Sequence, residues 1–235
     1  MRILIIHYRY SVIGGPERYL FNLIAALEEK GHHVIPFSVS YPENESSEYE
    51  SYFVQPLNNQ FHLHEQSLSI LESLKVAKEM IYNKSAYRSL KNLIEDNKPD
   101  IAYVLIYKGK LSYSVFNACH EKKVPVVLRI SSFGHFCGKA TFFRDGNVCD
   151  LCVTKPMSII KHKCMHNSRP FSTVSYLINR FERWSGSLKE IKEVICPSYF
   201  TSQIFQKDNQ FKDITVTHLP TFQDNTSFQL TPDIV

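Results

Sequence analysis

The chain has 235 residues, of which 43% are hydrophobic and 21% are charged, a composition that is typical of folded proteins and excludes a disordered chain. The net charge of +4 is too small to predict nucleic-acid binding, and no run reaches the ~18 apolar residues that a membrane-spanning helix needs. The apolar run at residues 3–6 is too short for a secretory signal, which predicts a cytoplasmic protein with six cysteines that are free or metal-bound.

The first 39 residues have the pattern of a strand, a helix and a second strand. Residues 3–6, Ile-Leu-Ile-Ile, form the continuous apolar run of a parallel strand that is buried on both faces. The glycine pair 14–15 breaks the chain, Pro16 suits the first turn of a helix, and Gly31 ends that helix. Residues 34–39 form the next strand, so this segment predicts a right-handed βαβ unit.

Strands and helices are predicted to alternate along the rest of the chain, after a polar, irregular loop at 41–66. Further strands are predicted at 101–106, 126–130, 194–196 and 215–219, and helices at 68–75, 87–94, 112–122, 172–184 and 198–207. The alternation predicts an α/β fold, a Rossmann-like parallel sheet with helices on both faces and a cysteine-rich insertion. We expect one domain over residues 1–220, containing a cysteine-rich knob at 135–168, and a tail or interdomain linker at 221–235.

The first candidate site follows the first strand. In open α/β sheets ligands bind at the carboxyl ends of strands, and Gly14 and Gly15 would let the backbone approach a phosphate at the positive end of the next helix. Arg18 could pair with that phosphate, and His7 could face the same cleft. The alternatives are a plain structural turn and, for His7, a packed residue at the end of a strand.

A known signature is similar to the residues around this turn. Residues 14–18, GGPER, with the following helix and residues 31–34, GHHV, resemble the opening of family 4 glycosyltransferases of the GT-B fold. Later segments match in the expected order: KPDI at 98–101, PVVL at 125–128, ICPS at 195–198 and HLP at 218–220. Together they span about residues 1–220, so the chain resembles the N-terminal half of such an enzyme, one half of a GT-B fold.

That resemblance implies a cleft between two Rossmann-like domains, of which this one holds the acceptor and a C-terminal one holds the nucleotide-sugar. It implies a hexosyltransferase that moves a sugar, with retention of configuration, to a glycan or lipid-linked acceptor in cell-surface polysaccharide synthesis. The residues expected beside the donor phosphates or the acceptor are Gly14, Gly15, Glu17, Arg18 and His7. Without the second domain, this chain alone is expected to be inactive.

One departure from the family pattern concerns the catalytic position. The family often has a His-Asp pair after the strand at 126–130, where this chain has Ser131 and Ser132. A serine can hydrogen-bond an acceptor hydroxyl but is a poor base, so Ser131 and the nearby His135 are the candidate catalytic residues. The alternative for His135 is a surface or zinc-adjacent histidine, and the departure leaves both acceptor class and activity open.

Four cysteines have metal-ligand spacing. Cys149 and Cys152 form a CxxC pair, and Cys137 and Cys164 flank it with eleven residues on either side. Four thiolates would close a tetrahedral shell with no position for water, which predicts a structural zinc ion. Unmetallated thiols are the alternative. A thioredoxin-type redox pair is disfavoured because no helix is expected to begin after Cys149.

Charge and motif patterns leave three functions open. From 155 to 193 there are eight Lys or Arg residues against three Glu, which predicts either peripheral contact with the inner face of a membrane or a solvated helical face. The first function is the transferase half described above. The second is a non-catalytic, zinc-stabilised Rossmann-like binding module, and the third is an unrelated nucleotide- or partner-binding domain of the same fold.

Overall fold

A computed structural model describes residues 1–56 and 70–222. A six-stranded sheet contains β1 (Arg2–Ile6), β2 (His33–Phe37), β3 (Ile101–Val104), β4 (Val126–Arg129), β7 (Ile191–Cys196) and β8 (Thr215–His218). A separate hairpin contains β5 (Phe143–Arg144) and β6 (Asn147–Val148). The helices are α1 (Gly15–Glu29), α2 (Ile70–Ile81), α3 (Lys84–Asn97), α4 (Ser114–Glu121), α5 (Leu151–Thr154), α6 (Ser158–Lys161), α7 (Arg169–Ser185) and α8 (Tyr199–Gln206).

All neighbouring strands of the main sheet are parallel, in the order β2-β1-β3-β4-β7-β8. The chain moves from β1 to β2 on one side and then returns to place β3 on the other side of β1. Ile3 therefore pairs with Val34 on one side and with Ile101 on the other. A reversal of this kind opens a crevice at the carboxyl ends of the two central strands, where α/β proteins bind ligands.

Helices cover both faces of the sheet, as predicted. On one face, α3 and α4 bury Leu90 and Phe116 against Leu4 and Leu128 in the larger core. On the other face, α1 buries Leu20 among Ile3, Ile5 and other residues in a smaller core. Alternate residues of β1 face opposite cores, which is why the strand is apolar at every position after Arg2.

The polar segment after β2 is more ordered than its composition predicts. Its aromatic rings are buried: Tyr41 and Tyr49 join the larger core, and so does Phe53 after a 3₁₀ turn at Glu50–Tyr52. Val54 forms a parallel bridge with Val39. The prediction of a loop is confirmed for residues 41–56, which contain only this 3₁₀ turn and the isolated bridge, and the buried aromatic rings attach the loop to the core. The rest of that loop and the predicted start of the next helix lie outside the described residues.

The long crossover between β4 and β7 contains the cysteine-rich insertion and α7. The hairpin turns at Asp145 and Gly146, both with positive φ, and two single-turn helices follow it. α7 begins earlier than predicted, at Arg169, with Pro170 in its first turn, and it ends at Gly186 in the left-handed region. No helix in residues 1–56 and 70–222 is long and apolar enough to cross a membrane.

Candidate functional site

A cavity with a volume of about 670 Å³ lies at the carboxyl edge of the sheet. Its sheet side is formed by residues 105–109, which follow β3, and by residues 129–135, which begin with the last residue of β4. Its outer walls come from α2, α7 and the cysteine-rich insertion. A cavity of this size at this edge is typical of a small-molecule site.

A buried polar network supports the cavity wall. Glu182 of α7 is 2% exposed and accepts hydrogen bonds from the Tyr107 hydroxyl and the Lys108 ammonium. Lys108 Nζ also donates to Asn179 Oδ1 at 2.7 Å, and both Lys108 and Asn179 line the cavity. Burial lowers the pKa of Lys108 and the Glu182 carboxylate opposes that effect, while burial and the same carboxylate raise the pKa of Tyr107. Glu182 and Asn179 thus hold the Lys108 amine at a fixed place on the cavity wall.

His135 lies in the same wall and is buried among aromatic rings. Its ring is 5.6 Å from that of Phe205 and 6.0 Å from that of Tyr107. Burial, followed by the positive charges of Lys108 and Arg183, holds the pKa of His135 well below its usual value. Nδ1 is 3.9 Å from Glu182 Oε2, too far for a hydrogen bond, and the neutral ring forms no ion pair there. Among the described residues, Nδ1 has no hydrogen-bond partner.

Arg129 joins the cavity to α1 and to the chain after β8. Its guanidinium lies over the Tyr19 ring at 3.8 Å, a cation–π contact, and it donates to the Thr221 hydroxyl at 2.6 Å and to Ser131 Oγ at 3.3 Å. The Phe222 ring also packs against the Tyr19 ring, with 5.4 Å between the ring centroids. The first residues of the predicted tail thus pack against the domain, and residues 223–235 lie outside the described part.

The glycine turn forms a second cluster, and none of its residues lines the cavity. The Gly14 N–H donates to Glu17 Oε2 at 3.0 Å, so the Glu17 carboxylate covers the start of α1. His7 is 1% exposed; its Nε2 lies 3.9 Å from Glu17 Oε1, and burial lowers the pKa of its ring. A Cβ on Gly14 would lie 3.2 Å from the Glu17 carboxylate, whereas one on Gly15 would meet no atom within 4 Å.

The four cysteines of the predicted zinc site are neighbours in the fold. Burial, followed by the thiols of Cys137, Cys164 and Cys149, raises the pKa of Cys152 to about 11. All four are free and partly buried. Within residues 1–56 and 70–222, however, no group of three or more His, Cys, Asp or Glu side chains is arranged to hold a metal ion.

The single-turn helix α5 begins two residues after Cys149, so the argument against a redox pair from a missing helix was wrong. The raised pKa of Cys152 is still the opposite of an activated thiolate.

A comparison with protein-family models matches residues 13–222 to Glycosyltransferase Family 4. The chain belongs to this family. The match covers the glycine turn, the cavity and the cysteine-rich insertion. No curated protein sequence matches this chain.

Two solved structures are similar to most of this family 4 domain. Sucrose-phosphate synthase from Thermosynechococcus elongatus matches 96% of the chain with a TM-score of 0.51 and 12% identity, over 49% of its own length. Medicago truncatula UGT71G1, solved with UDP-glucose, matches 96% of the chain and 52% of itself, with a TM-score of 0.49 and 11% identity. The chain spans about half the length of these proteins, and its fold is that of the N-terminal half of a GT-B transferase.

The family 4 domain brings together only some of the predicted site residues. Ser131 and His135 line the cavity, whereas Gly14, Gly15, Glu17, Arg18 and His7 do not. The interpretation of His135 as a surface histidine was wrong, because rings from distant parts of the chain enclose it. Sequence reasoning missed Lys108 and Glu182. Glu182 lies four residues after Ile178 and therefore on the same, apolar face of the predicted helix. A charged residue on an apolar helix face could have indicated a buried ion pair.

Proposed function

We propose that this family 4 domain is the acceptor-binding half of a glycosyltransferase that moves a hexosyl group from a nucleotide-sugar to a glycan or lipid-linked acceptor in cell-surface polysaccharide synthesis. The observation that carries the proposal is the cavity at the carboxyl edge, lined by Lys108, Ser131 and His135 in a domain of this family. A nucleotide-sugar as the co-substrate is part of the proposal, and membership of a glycosyltransferase family supports it.

The cavity residues suit the binding and orientation of an acceptor hydroxyl. His135 lines the cavity, and a neutral imidazole ring carries one donor and one acceptor nitrogen. Its lowered pKa makes it a weak base at neutral pH, so we assign it and Ser131 to positioning the acceptor rather than to removing a proton. Gly14, Gly15, Arg18 and His7 remain candidates for the donor side. The Glu17 carboxylate covers the Gly14 N–H and would have to move before a phosphate could accept from it.

Transfer with retention of configuration is part of the proposal, as is inactivity of these 235 residues alone. The test is a screen of nucleotide-sugars and acceptors with this chain and with the natural protein at full length. We expect transfer only from the latter, with the product in the donor's anomeric configuration by NMR. Product of inverted configuration would contradict retention, and turnover by the 235 residues alone would contradict their inactivity.

A non-catalytic binding module is the second candidate, and Ser131 and Ser132 in place of the family's His-Asp pair favour it. The two functions differ in one measurement. A binding module would retain acceptor affinity but show no turnover at any nucleotide-sugar in the full-length protein. His135→Gln separates roles within an enzyme: a positioning residue raises KM and leaves the shape of the pH–rate profile unchanged.

A structural zinc ion in the cysteine-rich insertion is also proposed. The support is a set of four thiols that are close enough to influence one another, although they are not arranged as a complete ligand shell. Bound zinc would cross-link the insertion and take no part in transfer. Metal analysis of folded protein purified without chelator should find about one equivalent. Less than half an equivalent, or a melting temperature unchanged by Cys149→Ser, would contradict the proposal.

A cytoplasmic location with peripheral contact at the inner membrane face completes the proposal. The insertion exposes Phe143 and Val148, which are paired across the hairpin, and Met157. Exposed Lys155 and Lys161 lie on the same insertion. Apolar and basic side chains together suit an anionic bilayer. Flotation should recover the chain with phosphatidylglycerol vesicles and not with phosphatidylcholine vesicles. Equal recovery with both would show that charge plays no part.

A further inference from the structure

The carboxyl-edge cavity has polar and apolar parts. Lys108, Ser131 and His135 are polar groups on its sheet side, and His166, Ser175 and Asn179 add polar groups from the insertion and α7. Away from the sheet, the two facing helices contribute mostly carbon and sulfur: Val76, Ala77 and Met80 from α2, and Phe171, Val174 and Ile178 from α7. α2 and α7 pack against each other, so these side chains enclose one end of the cavity.

The sheet side of the cavity carries hydrogen-bonding groups. His135 is 8% exposed and lines the cavity, while its Nδ1 atom is buried beside Glu182. Ser131 and the Arg129 guanidinium lie on the same side. No carboxylate of the described residues lines the cavity, so a hydroxyl-bearing or anionic group meets no opposing negative charge there.

We propose that the cavity binds an amphipathic acceptor, with a hydrocarbon chain between α2 and α7 and a hydroxyl-bearing head group at Arg129, Ser131 and His135. This inference rests on the proposed transferase function and narrows its acceptor to a lipid-like molecule. A glycan alone fits poorly, because its hydroxyls would be buried against the apolar walls without partners. Met80 and Met165 have flexible, polarisable side chains, which suit a chain of variable shape better than one rigid ring.

The physical signature of this binding mode is a dependence of affinity on chain length. Each methylene moved from water into the cavity is expected to tighten binding about fourfold. The gain should stop when the chain fills the available volume. Hydrogen bonding to the head group alone would give an affinity that does not change with chain length.

The experiment measures binding of n-alkyl β-glucosides with four to ten carbons, each below its micelle-forming concentration, by calorimetry on the 235-residue chain. Ala77→Trp narrows the cavity from α2, and Leu74→Trp is the matched control because Leu74 is 63% exposed on the same helix. Val174→Phe narrows the cavity from α7 and keeps the test valid if one variant fails to fold. We expect at least tenfold weaker octyl glucoside binding in either narrowed variant and unchanged binding in the control.

Three results would overturn the inference: affinity independent of chain length, equal effects of Ala77→Trp and Leu74→Trp, or tighter binding of phenyl than of octyl glucoside. The transfer screen distinguishes this failure from failure of the proposed function. Transfer to short polar acceptors without any effect of chain length would refute the lipid-like acceptor and leave the transferase standing. Chain-length-dependent binding with no transfer from any nucleotide-sugar would refute the transferase function and leave the lipid-like ligand in place.

Discussion

Replacing Glu182 by Gln tests whether the buried Lys108–Glu182 pair stabilises the cavity wall. The substitution keeps the shape of the side chain and removes its charge, so the Lys108 ammonium loses its counter-ion. Breaking a buried pair in this way costs about 3–5 kcal/mol. The Lys108 side chain is 20% exposed and can meet water in the cavity, so we reduce the expected loss to about 2–3 kcal/mol. In a domain of this size, that loss corresponds to a melting temperature lower by about 4–12 °C.

The assay is urea unfolding followed by circular dichroism, with Glu29→Gln as the control because Glu29 is exposed near the end of α1. The control should change stability by less than about 0.5 kcal/mol. Burial already lowers the pKa of Lys108, and loss of the carboxylate would lower it further. The folded state then binds fewer protons than the unfolded state below the unfolded pKa, so the deficit should shrink as pH rises from 7 to 9. A loss below about 1 kcal/mol, or a deficit that grows at pH 9, would refute the reasoning.

Three further predictions concern His135, the glycine turn and Arg129. Burial lowers the pKa of His135 below its unfolded value of about 6.5, so the free energy of unfolding should fall as pH drops from 7.5 through 6.5 to 5.5, by up to about 1.4 kcal/mol per pH unit. His135→Asn should reduce that slope in urea titrations at several pH values. An unchanged slope would contradict the assignment. Gly14→Val should lower the melting temperature because its Cβ would crowd the Glu17 carboxylate, whereas Gly15→Ala, which meets open space, should not; equal effects would refute this account. Arg129→Lys should cost about 1 kcal/mol of unfolding free energy because an ammonium cannot both cover the Tyr19 ring and reach two hydroxyls, and a stability equal to that of the parent chain would show the stacking to be unimportant.

The sheet could be predicted from the sequence because each central strand is a short apolar run followed by a turn or a helix start. β1 and β4 lie within one residue of their expected ends. The same local reasoning found Ser198, whose hydroxyl accepts from the Thr201 N–H at the start of α8. Short-range patterns determine these features, so a single sequence contains enough information to locate them.

The site was harder to predict because its environment is made by residues that are distant in sequence. His135 is enclosed by Tyr107 and Phe205, and its pKa is lowered first by that burial and then by the positive charges of Lys108 and Arg183. Nothing near His135 in the sequence indicates that enclosure. The glycine turn shows the opposite case. Its sequence correctly predicts the start of α1, but the Glu17 carboxylate already accepts a hydrogen bond from the Gly14 N–H that was expected to meet a phosphate.

The walls of the carboxyl-edge cavity come from four segments that lie up to about a hundred residues apart, between residues 76 and 179. The cavity therefore exists only after β3, β4, α2 and α7 have all assembled, and a compound that occupies it binds the native state alone. By mass action, an acceptor present at a hundred times its dissociation constant would stabilise the domain by about 2.7 kcal/mol. Thermal-shift screening of lipid-like compounds could thus identify the acceptor without any sugar donor, using the folding transition itself as the detector.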